Sequence, residues 1–242
     1  MKAILEIKGL SKTFKGLCAV QDVTFSINEH EIFGMIGPNG AGKTTIFNMI
    51  SGAFRPTQGS ILFGGGSIVG MPPNLICRKG MGRTFQITKP FQKLTVLENV
   101  IIGALNRTDS VRKAEDRARR LLAQMGLENM ADAQGKNLTV PERKRLELAR
   151  ALATEPKLLL LDEVMAGLNP TELGDMIGLL RQVAGTGVTI FVIEHIMHVM
   201  MNLSERIMVL HHGEMIAIGT PKEVASNERV VEAYLGEEYS FA

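Results

Sequence analysis

Cysteine is scarce: Cys18 and Cys77 stand alone and far apart in a chain of 242 residues. That excludes a disulfide framework, offers no metal-ligand spacing and fits a reducing compartment. Charge of one sign is lacking too. Lys and Arg number 27 against 25 Asp and Glu, a formal net charge of +2, so bulk attraction to nucleic acid is not expected. No apolar run approaches the roughly 18–20 residues of a membrane span. The opening Met1-Lys2-Ala3-Ile4-Leu5-Glu6 puts a carboxylate where a secretory leader keeps its apolar stretch. Internal repeats and low-complexity tracts are also missing. What remains, 45% hydrophobic and 21% charged, is the composition of a folded globular chain. Its length suits one large domain or a domain with a subdomain. The expectation is a soluble intracellular protein, free to dock on a membrane protein.

The most informative stretch is Gly37-Pro38-Asn39-Gly40-Ala41-Gly42-Lys43-Thr44, which satisfies G-x-x-x-x-G-K-[ST]. Before it runs the apolar strand pattern Ile32-Phe33-Gly34-Met35-Ile36. After it, Thr45-Ile46-Phe47-Asn48-Met49-Ile50 continues with helical character. A strand feeding a glycine-rich loop that opens a helix aims several backbone N–H groups at one spot. Gly40 and Gly42 permit a close backbone approach. Lys43 is placed to reach the β- and γ-phosphates, and the Thr44 hydroxyl to ligate Mg²⁺. The prediction is a nucleoside triphosphate site spanning Gly37, Pro38, Asn39, Gly40, Ala41, Gly42, Lys43, Thr44 and Thr45.

Elsewhere, residues 3–8 and 20–27 read as strands with a loop over 11–16 between them. Residues 59–66 give a hairpin signal around Ile61-Leu62-Phe63, and Met71-Pro72-Pro73 breaks the chain. From about 91 to 154 the pattern turns helical. Val111, Ala114, Ala118, Leu121, Leu122 and Met125 form one apolar stripe, with Arg112, Lys113, Arg117, Arg119 and Arg120 on a solvated face. Short apolar runs at 158–161 and 188–193 read as buried parallel strands. A hairpin over 207–218 turns at His211-His212-Gly213-Glu214. The fourteen Met residues are core filler, and His198, His211 and His212 carry no metal-site spacing.

The run 158–161 ends in Asp162-Glu163. An acid at a strand end beside a phosphate loop can hold Mg²⁺, and the adjacent Glu can deprotonate the attacking water. His195, ending the next apolar strand, is a candidate γ-phosphate sensor.

Over essentially its whole length the chain resembles the ATP-binding subunits of ABC transporters. The resemblance implies an α/β fold: a P-loop NTPase (RecA-like) core with an antiparallel β part and an inserted α-helical subdomain. The core would be 1–87 and 155–242, the subdomain 88–154. It assigns Phe14 as the aromatic stacking on adenine. It makes Gln86, in Arg83-Thr84-Phe85-Gln86, the residue joining core to subdomain near Mg²⁺ and the water. Asp162, Glu163 and His195 take the roles of Mg²⁺ acid, catalytic base and switch histidine. Residues 138–142, Leu-Thr-Val-Pro-Glu, align on the Leu-Ser-Gly-Gly-Gln signature, which in that family caps the γ-phosphate of a head-to-tail partner. Thr139 would then touch the partner's ATP. The resemblance further implies ATP and Mg²⁺ as cofactors, permease subunits and a second ATPase subunit as partners, a solute-binding protein indirectly, and no nucleic acid. It places the chain in the cytoplasm, peripheral on the inner face of the plasma membrane.

Residues 230–237, with Gly167-Leu168-Asn169-Pro170, look like the branched-chain amino acid importer branch. The reading is an ATPase powering import of branched-chain or related amino acids. Alternatives are an importer ATPase for another small solute, or a low-turnover nucleotide-gated subunit of a heterodimer. Departures at five positions matter. Pro141 has no N–H to give and Val140 is β-branched where the family has glycines, with Pro141 suiting the first helical position. Glu142 sets negative charge near phosphate, offset by Arg143 and Arg145. Val164 replaces the usual Pro, and Asn169 an Asp.

Overall fold

The computed structural model describes residues 2–84 and 90–238, the last four of these by backbone alone. In chain order the strands are β1 (Ala3–Phe14), β2 (Leu17–Asn28), β3 (Ile32–Ile36), β4 (Gln58–Phe63), β5 (Gly66–Ser67), β6 (Met81–Arg83), β7 (Leu158–Asp162), β8 (Thr189–Ile193), β9 (Arg206–His211) and β10 (Glu214–Gly219). The helices are α1 (Lys43–Ile50), α2 (Pro73–Lys79), α3 (Val96–Ala104), α4 (Val111–Gln124), α5 (Val140–Ala153), α6 (Pro170–Gly185), α7 (Met197–Leu203), α8 (Pro221–Ala225) and α9 (Glu228–Glu238). They fall into two compact units, residues 1–76 with 184–242 and residues 77–183.

The first unit holds the antiparallel sheet β2-β1-β4-β5 and the strands β10-β9-β3-β8. Here β3 runs parallel to both β8 and β9, and β10 closes antiparallel on β9. Every residue of β3 and β8 is buried, which is why both read as unbroken apolar runs rather than alternating ones. Four rings interlock between them. Phe33 stacks on Phe25 of β2 at 5.6 Å, Phe191 meets Phe33 edge-on at 5.4 Å, and Phe47 of α1 lies 4.7 Å from Phe191. At Gly34 an added Cβ would come within 2.4 Å of the Met200 methyl and 2.6 Å of the Ser204 hydroxyl, so a larger residue there would displace the side chains packed on β3.

The loop expected over 11–16 is absent. β1 and β2 pair to their ends, Phe14 opposite Leu17, and only Lys15 and Gly16 turn, both at positive φ (45° and 93°). That is the two-residue hairpin turn whose twist matches its strands. Register shifts at three points between Ile7 and Thr13 break the two-residue period and hid this half of β1.

The second unit holds the parallel pair β6–β7 and helices α3, α4 and α5, which pack together. Thr95 and Glu98 cap α3 reciprocally, the Glu98 N–H donating to Thr95 Oγ1 at 3.1 Å and the Thr95 N–H to Glu98 Oε2 at 2.7 Å. The stripe expected on α4 is buried at Ala114, Ala118, Leu122 and Met125, whereas Val111 stands exposed. Of its basic residues, Arg112, Lys113, Arg119 and Arg120 are exposed, while Arg117 ties down to Glu155 and to the Leu152 carbonyl. Among the described residues no helix is long and apolar enough to cross a membrane.

Candidate active site

In the first unit the phosphate-loop sequence leaves the carboxyl end of β3 between two parallel neighbours, the crevice where open α/β sheets bind ligands. Pro38 and Ala41 close a turn (Ala41 N–H to Pro38 O, 3.2 Å), and the Gly213 N–H ties the loop down through Ala41 O at 3.0 Å. Gly42 caps α1 at φ 102°, where a Cβ would strike the Ala19 carbonyl at 2.5 Å. At Gly37 the clash would be with Leu210 O at 2.1 Å. The motif's outer glycines are therefore set by the crowding of β2 and β9, whereas an added Cβ on exposed Gly40 would meet nothing within 4 Å.

Ile46 is the first residue of α1 whose N–H returns to a helix-side carbonyl, Gly42 O at 3.0 Å, so the N–H groups ahead of it point out of the helix N-terminus. Thr44 is exposed and Thr45 half-buried there. Lys43 is buried, its ammonium on the loop's own carbonyls, Gly37 O at 2.5 Å and Pro38 O at 2.7 Å. These are neutral acceptors, which the charged oxygens of a phosphate outcompete.

Met35 of β3 lies opposite Ile193 of β8, so His195 leaves its strand at the same edge as the loop. Its ring is exposed, with Nδ1 3.9 Å from the buried Glu194 carboxylate. Phe14, at the tip of the β1–β2 hairpin, is 38% exposed. Phe54 meets its ring edge-on at 5.5 Å, and the Lys12 ammonium sits 4.9 Å from its centroid, anchored by a 2.7 Å bond to the Arg55 carbonyl. The ring is thus held on two sides and left partly open to solvent. Phe14→Ala is expected to weaken ATP and GTP alike, about tenfold, because stacking tolerates base identity. Titration with both nucleotides checks it; unchanged affinity would return Phe14 to a structural role.

The second unit holds the acids. Asp162 ends β7 fully buried, and Arg83 of β6 donates to its Oδ2 at 3.2 Å. The Asp162 N–H donates to Thr84 Oγ1 at 3.3 Å. Glu163 follows at φ 49°, left-handed and sparsely populated for such a residue, and is half-buried. Its carbonyl accepts from the buried Lys144 of α5 at 3.2 Å. Sequence reasoning missed the contacts of Arg83 and Lys144 with these acids.

Thr139 is exposed ahead of α5, and both its N–H and its hydroxyl donate to Glu142 Oε2, at 2.7 and 2.8 Å. The expected phosphate ligand thus serves a helix cap, and the Glu142 charge is turned onto its own helix start. Pro141 occupies the second helical position rather than the first, Val140 taking that place. Asn169 also caps: its N–H donates to Glu172 at 2.9 Å and its Oδ1 accepts from the Glu172 N–H at 3.0 Å. Asn serves in that role as well as Asp. Gln86 lies outside the described residues.

The donor chemistry suits the ligands. The Thr44 hydroxyl and the Asp162 carboxylate are hard oxygen donors of the kind Mg²⁺ takes, and it is commonly held by one or two such groups plus substrate phosphates. A glycine loop at the strand edge, a lysine folded into it and a helix N-terminus behind it define a P-loop nucleotide hydrolase. Residues 20–166 match the model of the ABC transporter family, and residues 214–240 that of the branched-chain amino acid ATP-binding cassette transporter. The chain is 41% identical to the high-affinity branched-chain amino acid transport ATP-binding protein LivG of Salmonella typhimurium, over 97% of this chain and 98% of that one. It is similar to the ADP conformation of MJ1267, an ATP-binding cassette of an ABC transporter (TM-score 0.89, 30% identity, 98% and 100% of the two chains). It is also similar to a dimeric cassette, MJ0796 bound to ADP and Pi (TM-score 0.82, 26% identity, 90% and 98%). The chain belongs to the ABC transporter family, and it is an ATP-binding, ATP-hydrolysing cassette.

Proposed function

We propose that this cassette powers a membrane importer of branched-chain or related amino acids from the cytoplasmic face of the plasma membrane. The observation that carries the solute class is the match of residues 214–240, at the opposite end of the chain from the phosphate loop and outside the stretch that the general ABC model covers. In this reading Gly37 to Thr45 cradle the phosphates, Phe14 stacks on adenine, and His195 donates a hydrogen bond to the γ-phosphoryl group. Thr44 and Asp162, with Gln86, would hold Mg²⁺, which neutralises charge on the β- and γ-oxygens. Glu163 takes a proton from water as its oxygen attacks the γ-phosphorus and the bond to the ADP oxygen breaks. A second cassette supplies the signature loop, and permease subunits follow the closing and opening of the pair. The test is reconstitution with the permease subunits in vesicles. ATP-dependent uptake of labelled leucine, isoleucine or valine is the expected result; coupling to an unrelated solute alone would overturn the solute assignment.

The signature favours a second reading for one half of the dimer. Val140 and Pro141 stand where glycine N–H groups meet phosphate, and the Thr139 hydroxyl is engaged with Glu142. A cassette with this loop caps a partner's nucleotide weakly. In the slow-hydrolysing Glu163→Gln background, adding Val140→Gly with Pro141→Gly should strengthen ATP-driven dimerisation about tenfold, the worth of one recovered bond to a charged group. Sedimentation in ATP reads this directly. A tight dimer before the change, or no gain after it, means the loop meets phosphate by another geometry or does not meet it.

A further inference from the structure

We propose that Lys144 is a positioning residue for the hydrolytic step, acting through the backbone of Glu163. The inference rests on the reading of Glu163 as general base. Lys144 lies on the buried stripe of α5 with Glu147, Leu148 and Ala151, a spacing of three, four and seven residues at which a core-facing helix carries apolar side chains. An ammonium there needs a hydrogen-bonded partner, and one partner is the Glu163 carbonyl at 3.2 Å. The same carbonyl closes the turn that follows, accepting from the Ala166 N–H at 3.4 Å.

These bonds act on a residue whose backbone is in an unfavourable region. Glu163 sits at φ 49°, and such settings persist only where the surroundings over-determine them. Val164 imposes none of the restriction that a proline places on the residue before it. Lys144 therefore helps fix the peptide from which the Glu163 carboxylate projects, one residue past the buried Asp162. Its place in the helix adds a consequence. Lys144 stands in the turn of α5 directly after the signature segment 138–142, so the helix start that faces a partner's nucleotide and the carboxylate serving this chain's own are joined through one side chain.

The experiment compares Lys144→Met, Lys144→Arg, Glu163→Gln and the Lys144→Met/Glu163→Gln double variant in the assembled transporter, reading kcat, KM and equilibrium ATP affinity. Lys144→Met should lower kcat about 10- to 100-fold, the range for a lost charge-assisted bond, with KM and affinity unchanged. Lys144→Arg, still able to donate to the carbonyl, should recover most of the loss. In the Glu163→Gln background, Lys144→Met should cost nothing further in residual turnover, because the group it positions is gone. Amide exchange at Val164 to Ala166 should quicken in Lys144→Met, a readout independent of turnover. Should Lys144→Met not fold, Lys144→Gln is scored by the same criteria. Turnover lost in Glu163→Gln but kept in the Lys144 variants overturns the proposal alone. Equal losses from Lys144→Met in both backgrounds, or KM moving with kcat, overturn it too. Turnover kept in Glu163→Gln sinks the base assignment, and this proposal with it.

Discussion

Glu163→Gln is expected to bind ATP as tightly as the native chain while losing about 10²–10⁴ in turnover, the usual contribution of a general base. The amide keeps the size and the hydrogen-bonding reach of the carboxylate, so the backbone turn and its Lys144 contact have no reason to change. What it loses is the capacity to accept the water's proton. The phosphate loop, which carries the affinity, is untouched in sequence. The ATP-bound form should therefore accumulate, visible as unhydrolysed ATP retained on the protein and lost only when nucleotide is withdrawn. Turnover near the native rate would remove Glu163 from the mechanism.

Lys43→Ala should abolish measurable ATP binding or hydrolysis. The ammonium is a point charge inside the glycine loop, and no neighbouring cation of the loop sequence can take its place. Truncation also takes away the two bonds that tie the Gly37 and Pro38 carbonyls together from within. The lost charge also acts on the phosphoryl group as it transfers, so raising the ATP concentration should not restore turnover. Isothermal titration alongside an ATPase assay separates binding from chemistry. Native affinity with native turnover in this variant would refute the site assignment.

Much of this was legible in the chain because its chemistry needs contiguous residues. A loop that wraps phosphate must spell its glycines, lysine and threonine in a row, and the strand and helix around it are constrained with it. Parallel strands covered on both faces announce themselves as apolar runs, as β3, β7 and β8 do. The outer half of β1 was hidden because bulges break alternation and its side chains are partly wet. Contacts between distant positions left no signal: nothing in Arg83 or Lys144 as letters says which carboxylate or carbonyl each meets. The left-handed turn at Glu163 is equally silent, since glutamate seldom adopts it. Thr139 is different. Thr-x-x-Glu is a capping-box spelling, and the chain repeats it at Thr95 with Glu98 and at Thr220 with Glu223, so the engagement of Thr139 by Glu142 was there to be read.

The four interlocked rings of Phe25, Phe33, Phe47 and Phe191 bear on where mechanical work originates. Protein interiors are as dense as organic crystals and resist compression, and a helix keyed onto a strand by a phenyl side chain cannot slide without unseating a neighbour. α1 is keyed in this way, and it carries the phosphate loop at its head. The block around the loop is thus built as a rigid mount. Shaving Phe47 to leucine would loosen the mount before it harmed the chemistry, and force would leak from the cycle as hydrolysis without transport.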